Sequence, residues 1–381
     1  MAAGKMEGLR LYFRQQPVML ALLAVLAVIC FVAVTGISQA YSAQRNALGE
    51  RWFARGVVDL SGRKYDSAVT EFRSALLYSR DNYTYQLNLA EALIGLKRTG
   101  EAAAYLTNLW ERQPEDGLVN LQLARIAAEK GQTEQALRYY HNAIYAAWPS
   151  DQEGNRRDAR LELIEFLLNT GAKAQAQSEL IALQENLGDD PLQPERVGDL
   201  FLRVQDDEHA LAAYRQVLRL ERDNRAALVG AGFAAFQLGR YPLAQHYLEE
   251  AVAGNPSDTR SADQLKMAEM VLEMDPFRRQ LSAARRAKIV ASAFTTAGER
   301  LKACGAARGI ALPTASQSSL AGSWAKMKPQ ITEGELRRNP DLVEAAMDLV
   351  FDIERETNAT CGTAAGADMA LLLIAKLHEG N

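Results

Sequence analysis

Residues 230–256 read GAGFAAFQLGRYPLAQHYLEEAVAGNP, and the spacing inside that stretch decides the fold. Ala244, Leu248 and Ala251 fall at i, i+4 and i+7, which is one face of a helix. Leu238-Gly239-Arg240 is a turn signal ahead of that helix. Gly232, twelve residues before Ala244, is small enough for a second helix to approach closely. The stretch therefore predicts a helix-turn-helix. Such a unit cannot bury its apolar face alone, so it requires neighbours stacked against it.

The neighbours are found upstream in the same frame. Ala68, Ala102, Ala136, Ala176, Ala210 and Ala244 are spaced by 34, 34, 40, 34 and 34 residues. Alanine makes up 63 of the 381 residues, so the flanking columns must carry the argument. Four residues after each alanine stand Phe72, Leu106, Tyr140, Leu180, Tyr214 and Leu248, and three further on stand Ala75, Leu109, Ala143, Leu183, Val217 and Ala251. Twelve before each stand Gly56, Ala90, Ala124, Ile164, Gly198 and Gly232. A fixed period of this length is the signature of a repeat solenoid.

Residues 49–258 resemble the tetratricopeptide repeat family, with repeats at 49–82, 83–116, 117–150, 157–190, 191–224 and 225–258. Gly232, Gly239, Tyr241, Ala244, Ala251 and Pro256 fall on the family pattern, and Pro114 fits its terminal proline. Arg80 and Arg222 depart from that proline, and Arg55 and Asp59 stand in repeat 1 where the family has apolar residues. The six extra residues, 151–156, read DQEGNR and form a polar insertion. The resemblance implies an all-α solenoid of about six helix pairs whose concave face is lined by the first helix of each repeat. The matching positions here are Leu87, Glu91, Leu121, Arg125, Leu161, Glu165, Glu195, Asp199, Val229, Phe233 and Phe236. Family members that grip a C-terminal carboxylate use Lys and Asn on this face. Leu87, Glu91, Leu121 and Arg125 stand there instead, which argues against that activity. A mixed apolar and acidic groove suits an extended or helical peptide with apolar anchors and some basic residues.

Ahead of the repeats, residues 15–44 carry no charge, and 18–37 read VMLALLAVLAVICFVAVTGI. Twenty such residues as helix span roughly 30 Å, the hydrocarbon thickness of a bilayer. One transmembrane helix is expected over 17–38, after a cytoplasmic tail at 1–16 and before a linker at 39–48. A cleaved signal peptide is the alternative, since Ser38-Gln39-Ala40 has small residues in the cleavage pattern. Lys5, Arg10 and Arg14 on one side face Arg45, Arg51 and Arg55 on the other, so the basic count ties. A short basic N-terminal tail held in the cytoplasm places the repeats in a bacterial periplasm, with the anchor in the inner membrane. Cys30 lies within the span, leaving Cys304 and Cys361 in the soluble part as a disulfide pair or as two free thiols.

After residue 258 the frame is lost while the helical pattern continues. A capping helix is expected within 259–275, followed by a helical C-terminal domain at 276–381. Pro276 reads as a helix start running to Ala307, with Arg308-Gly309 ending it. Asn339-Pro340-Asp341 starts another helix, and a final one is expected from Ala364 to His378. Between 276 and 310 stand Arg278, Arg279, Arg285, Arg286, Lys288, Arg300, Lys302 and Arg308 against Glu299 alone. Two readings follow. The helix meets anionic lipid or an acidic partner, or it forms an internal seam with Asp341, Glu344, Asp348 and Asp352.

Beyond residue 40 there are 40 basic against 46 acidic residues, a balance that argues against a broad nucleic-acid surface. No GxGxxG, P-loop, CxxC or CxxCH occurs, and His141, His209, His246 and His378 are scattered. Asp206-Asp207-Glu208-His209 opens a helix, where first-turn acids answer the dipole. No catalytic, cofactor-binding or metal-binding residue is assigned. The expected function is that of a membrane-anchored adaptor, not an enzyme, binding a protein or peptide in its groove. Its layout is similar to that of bacterial envelope repeat proteins that attend secretion, assembly or cytochrome maturation. Two alternatives stay open: a lipid-associated structural protein using the basic helix 276–308, and an enzyme with a site in the C-terminal domain.

Overall fold

The computed structural model describes residues 3–148, 153–184, 192–307 and 319–379, which are helical with connecting turns and contain no strand. The chain divides into two compact units, Met1–Phe166 and Leu167–Asn381. The first contains α1 (Ala3–Ser61), α2 (Tyr65–Tyr78), α3 (Tyr83–Gly95), α4 (Thr99–Arg112), α5 (Gly117–Glu129), α6 (Thr133–Tyr145) and most of α7 (Glu153–Asn169). Each helix from α1 to α5 packs on the next. The alanine frame is the reason. Ala68, Ala102 and Ala136 are fully buried, as are Phe72, Leu106 and Leu109 of the companion columns. Fully burying a side chain such as Phe72 or Leu106 contributes about 1.5–3 kcal/mol. Phe72, Leu89, Leu93, Leu106, Val119 and Leu123 belong to one continuous core.

Successive repeats are also bonded across their ends. Asn82 caps α3 by accepting from Tyr85 N at 3.1 Å, and Asp116 caps α5 by accepting from Val119 N at 2.8 Å. The second carboxylate oxygen of Asp116 accepts from the Tyr83 hydroxyl at 2.5 Å, so one side chain ends a repeat and ties it to its neighbour. The same register reappears in the second unit, where Asn224 caps α11 and Asp258 caps α13.

The second unit holds α8 (Lys173–Gln184), α9 (Leu192–Val204), α10 (Asp207–Leu220), α11 (Arg225–Gln237), α12 (Tyr241–Gly254) and α13 (Thr259–Met274). Beyond these lie α14 (Ala283–Ala307), α15 (Leu320–Met327), α16 (Glu333–Arg338), α17 (Pro340–Cys361) and α18 (Ala367–His378). Ala176, Ala210 and Ala244 are again fully buried, together with Leu180, Tyr214 and Leu248. The turn inside every helix pair uses one left-handed residue. These are Arg63, Lys97, Gly131, Gly171, Gln205 and Gly239, with φ from 57 to 80°, five positions before each frame alanine.

Several expectations need adjustment. Helix α1 runs unbroken through the tail, Pro17, the span and residues 39–48, so the expected linker is helical. Of the insertion at 151–156, residues 153–156 lengthen the start of α7, and 151–152 lie outside the described residues. The helix expected from Pro276 begins at Ala283. Asp275 accepts from Phe277 N at 2.9 Å and Arg278 donates to Leu272 O at 2.5 Å, which turns the chain before it can enter a helix. The stop at Arg308-Gly309 lies outside the described residues. The last helix starts at Ala367, behind a left-handed Gly366.

The expected charged seam is also different. Arg286 donates to Pro276 O, and Asp352 pairs with Arg355 on its own helix. Among the described residues, Arg300 joins the helices instead. Arg300 on α14 lies 3.2 Å from the fully buried Glu354 carboxylate and 2.9 Å from Asp368 on α18. It also donates to Thr357 Oγ1 and Gly362 O, at 2.8 and 3.0 Å. One helical turn on, Cys304 is paired in a disulfide with Cys361, their Cα atoms 5.5 Å apart.

Candidate functional site

Helices α9 and α11 open successive pairs and α13 follows the last one, and together with residues of α10 they border a cleft of about 690 Å³. The sequence shapes it through small residues. Gly198 and Gly230 lie against the Tyr214 ring, and a Cβ on Gly230 would overlap it. Tyr214 therefore reaches through from α10, and its hydroxyl donates to Asp199 Oδ1 at 2.5 Å. Burial, with the hydrogen bond to Asp199 added, pushes the phenol far above its ordinary range. It stays a neutral donor.

On the facing wall, Val229 and Phe233 supply apolar surface from α11. The Arg260 guanidinium lies 4.6 Å from the Phe233 ring centroid, a cation–π contact that orders both side chains. Arg225 pairs with Asp258 at 2.8 Å. The Asp258 carboxyl is held below its ordinary range by hydrogen bonds from Ser261, with Arg225 adding to them. Asp207 completes the acidic side, its carboxyl raised by burial and by the neighbouring Asp206 charge. The cleft thus offers one aromatic anchor point among the carboxylates Asp199, Asp207 and Asp258 and the guanidiniums Arg225 and Arg260.

Three of the eleven residues assigned to a groove from the sequence, Asp199, Val229 and Phe233, line this cleft. Glu195 lies on the same helix as Asp199 and accepts from Asn224 Nδ2 at 3.3 Å. Phe236 is turned away. Its ring stands edge-on to Tyr241 at 5.3 Å, inside its own helix pair.

In the first unit, Leu121 and Leu161 are 2% and 1% exposed, so they are core residues and not lining. Leu87 is half-buried against the core, while Glu91 is exposed on α3. Arg125 is engaged. It makes two bonds to Glu162, at 2.8 and 2.6 Å, leaving neither charge unanswered. Glu165 is half-buried on α7 and makes its own interactions. Sequence reasoning missed Tyr214, which its column marked as packing, and Arg260, which stands on α13 beyond the alanine frame. Asn224 and Asp258, caps one repeat period apart, are the signal that would have carried the groove onto α13.

Asp206 caps α10 through His209 N at 3.2 Å, and its second oxygen contacts His209 Nδ1 at 2.8 Å and Gln177 Nε2 at 2.6 Å. Burial alone raises this carboxyl, but the hydrogen bonds from His209 and Gln177 hold it below its ordinary range. The acidic run is thus a helix start. Among the described residues no group of three or more His, Cys, Asp or Glu is placed to hold a metal ion.

Paired helices with buried small-residue seams and a lined face define an α-solenoid repeat protein. Residues 53–117 and 198–259 match the sequence model of the tetratricopeptide repeat family. The chain carries tetratricopeptide repeats over these segments. No curated protein matches it. Among solved structures it is similar to Pseudomonas aeruginosa pilF, at 14% identity over 58% of this chain and 97% of that one, with a TM-score of 0.42. It is also similar to the C-terminal part of a repeat protein from Cytophaga hutchinsonii, at 16% identity over 62% and 93%, with a TM-score of 0.46. YrrB, described as a repeat protein with an unusual peptide-binding site, is 16% identical over 50% and 96%, with a TM-score of 0.41.

Proposed function

We propose that this protein is a membrane-anchored scaffold that holds a polypeptide in the cleft of α9, α11 and α13, in the assembly or maturation of an envelope complex. The observation that carries the reading is the cleft itself. Val229 and Phe233 offer an apolar seat beside Asp199 and Asp207, which suits an apolar side chain followed by a basic one. Binding of this kind is equilibrium recognition in a preformed groove and needs no catalytic group.

Helix α1 supports the anchor. The large apolar side chains from Met19 to Ile37 are exposed, and the segment is long and apolar enough to cross a membrane. The anchor raises the local concentration of partners in the same membrane. The Cys304–Cys361 pair supports an oxidising compartment for the repeats, such as a periplasm.

The test is chemical crosslinking in intact membranes with wild-type protein and with Phe233→Ala plus Asp199→Asn. Loss of one crosslinked polypeptide from the variant, with its helicity and melting unchanged, is the expected result. An unchanged crosslink pattern contradicts the reading.

A further inference from the structure

A second cleft lies in the second unit, among α17, α18 and the turn at 276–282. It encloses about 570 Å³. Phe277 and Phe351 give it aromatic walls, and Phe351 is only 6% exposed. Phe277 is fixed rather than loose. Its amide donates to Asp275 at 2.9 Å, and its ring packs at 4.8 Å against His378, which itself contacts Asp275 at 3.2 Å.

The charges on the rim do not cancel. Arg355 is committed to Glu379 and Asp352, at 2.6 and 2.8 Å. Glu344 and Asp348 line the same cleft one helical turn apart on α17, and both are exposed. Neither forms an ion pair or hydrogen bond among the described residues. Two unanswered carboxylates facing a fixed aromatic wall are complementary to one chemistry, a cation carried on an apolar stem. The carboxylates attract the charge, the ring faces favour it, and the apolar walls take the methylenes. The volume exceeds that of one side chain, so flanking backbone is accommodated as well.

We infer that this cleft receives an arginine or lysine side chain presented by a partner polypeptide. It is a docking point separate from the repeat cleft and independent of the function proposed there.

The experiment uses the full chain in detergent micelles and a fluorescein-labelled hexapeptide, Ala-Arg-Ala-Ala-Arg-Ala, followed by fluorescence anisotropy. The same peptide with glutamate in place of arginine is the control probe. Glu344→Gln combined with Asp348→Asn is expected to weaken the arginine peptide about tenfold. Phe277→Ser is expected to weaken it as well. Glu299→Gln, which removes an exposed acid on α14 outside the cleft, is expected to leave it unchanged, and thermal melting reports that each variant is folded. The inference is overturned if the double variant binds as tightly as wild type or if the glutamate peptide binds equally well. It is also overturned if Phe233→Ala abolishes binding while the double variant does not, since the peptide then sits in the repeat cleft.

Discussion

The six turn residues inside the helix pairs show how much one backbone angle contributes and how little of it the residue type declares. Gly131, Gly171 and Gly239 adopt the left-handed conformation without a Cβ penalty, whereas Arg63, Lys97 and Gln205 adopt it at φ of 57, 63 and 66°. A left-handed residue with a side chain costs roughly 1–2 kcal/mol, offset in part by the smaller entropy it loses on folding relative to glycine. Lys97→Gly and Gln205→Gly are therefore expected to stabilise by about 0.5–1 kcal/mol each, read as a higher denaturant midpoint with unchanged slope. A lower midpoint in both variants would contradict this. In the sequence, Gly239 was legible as a turn because glycine advertises the conformation. Lys97 and Gln205 were not, because only the alanine five residues later fixes what their backbone must do.

Among the elements, α14, α17 and α18 are joined through a fully buried carboxyl. Burial and then the Asp368 charge push Glu354 up to about 8, although Arg300 pulls it the other way. The folded state thus keeps a proton to higher pH than the unfolded chain. The stability this contributes is fully present below the ordinary carboxyl pKa of 4.5 and is lost as pH rises through about 8. Glu354→Gln keeps the neutral shape and removes the proton, so melting of the variant is expected to fall less between pH 6 and pH 9 than that of wild type. Parallel curves would show that another group governs the loss.

The start of α17 was legible at Asn339-Pro340-Asp341, and α18 was expected within Ala364 to His378. The junction was not legible, since a stripe of acids at Asp341, Glu344, Asp348 and Asp352 reads as a seam until α14 is placed. Its orientation leaves Arg300, Glu354 and Asp368 as the contact and frees Glu344 and Asp348 for the cleft. The start of α14 was misread for a local reason. Pro276 behind Asp275 has the form of a cap, but Asp275 accepts from Phe277 two residues on, which closes a turn.

At the scale of the whole molecule, a period of 34 residues was enough to specify stacked helix pairs, because every column in the frame had a packing partner to satisfy. The same logic limited the site. Groove positions copied from the frame fail where the local sequence is more apolar than the pattern requires, as at Leu121 and Leu161, or where a neighbour neutralises the charge, as at Arg125. The cleft of the second unit is built where Gly198 and Gly230 let Tyr214 through and α13 contributes Arg260.

The central claim is that a polypeptide occupies the α9, α11 and α13 face and not the outer one. Photo-crosslinking in membranes tests it directly, with the reactive side chain at Val229 inside the cleft or at Leu220, which is 62% exposed on α10. The account predicts one discrete polypeptide crosslinked from position 229 and absent from position 220. Equal products from both positions, or none from position 229, would contradict it.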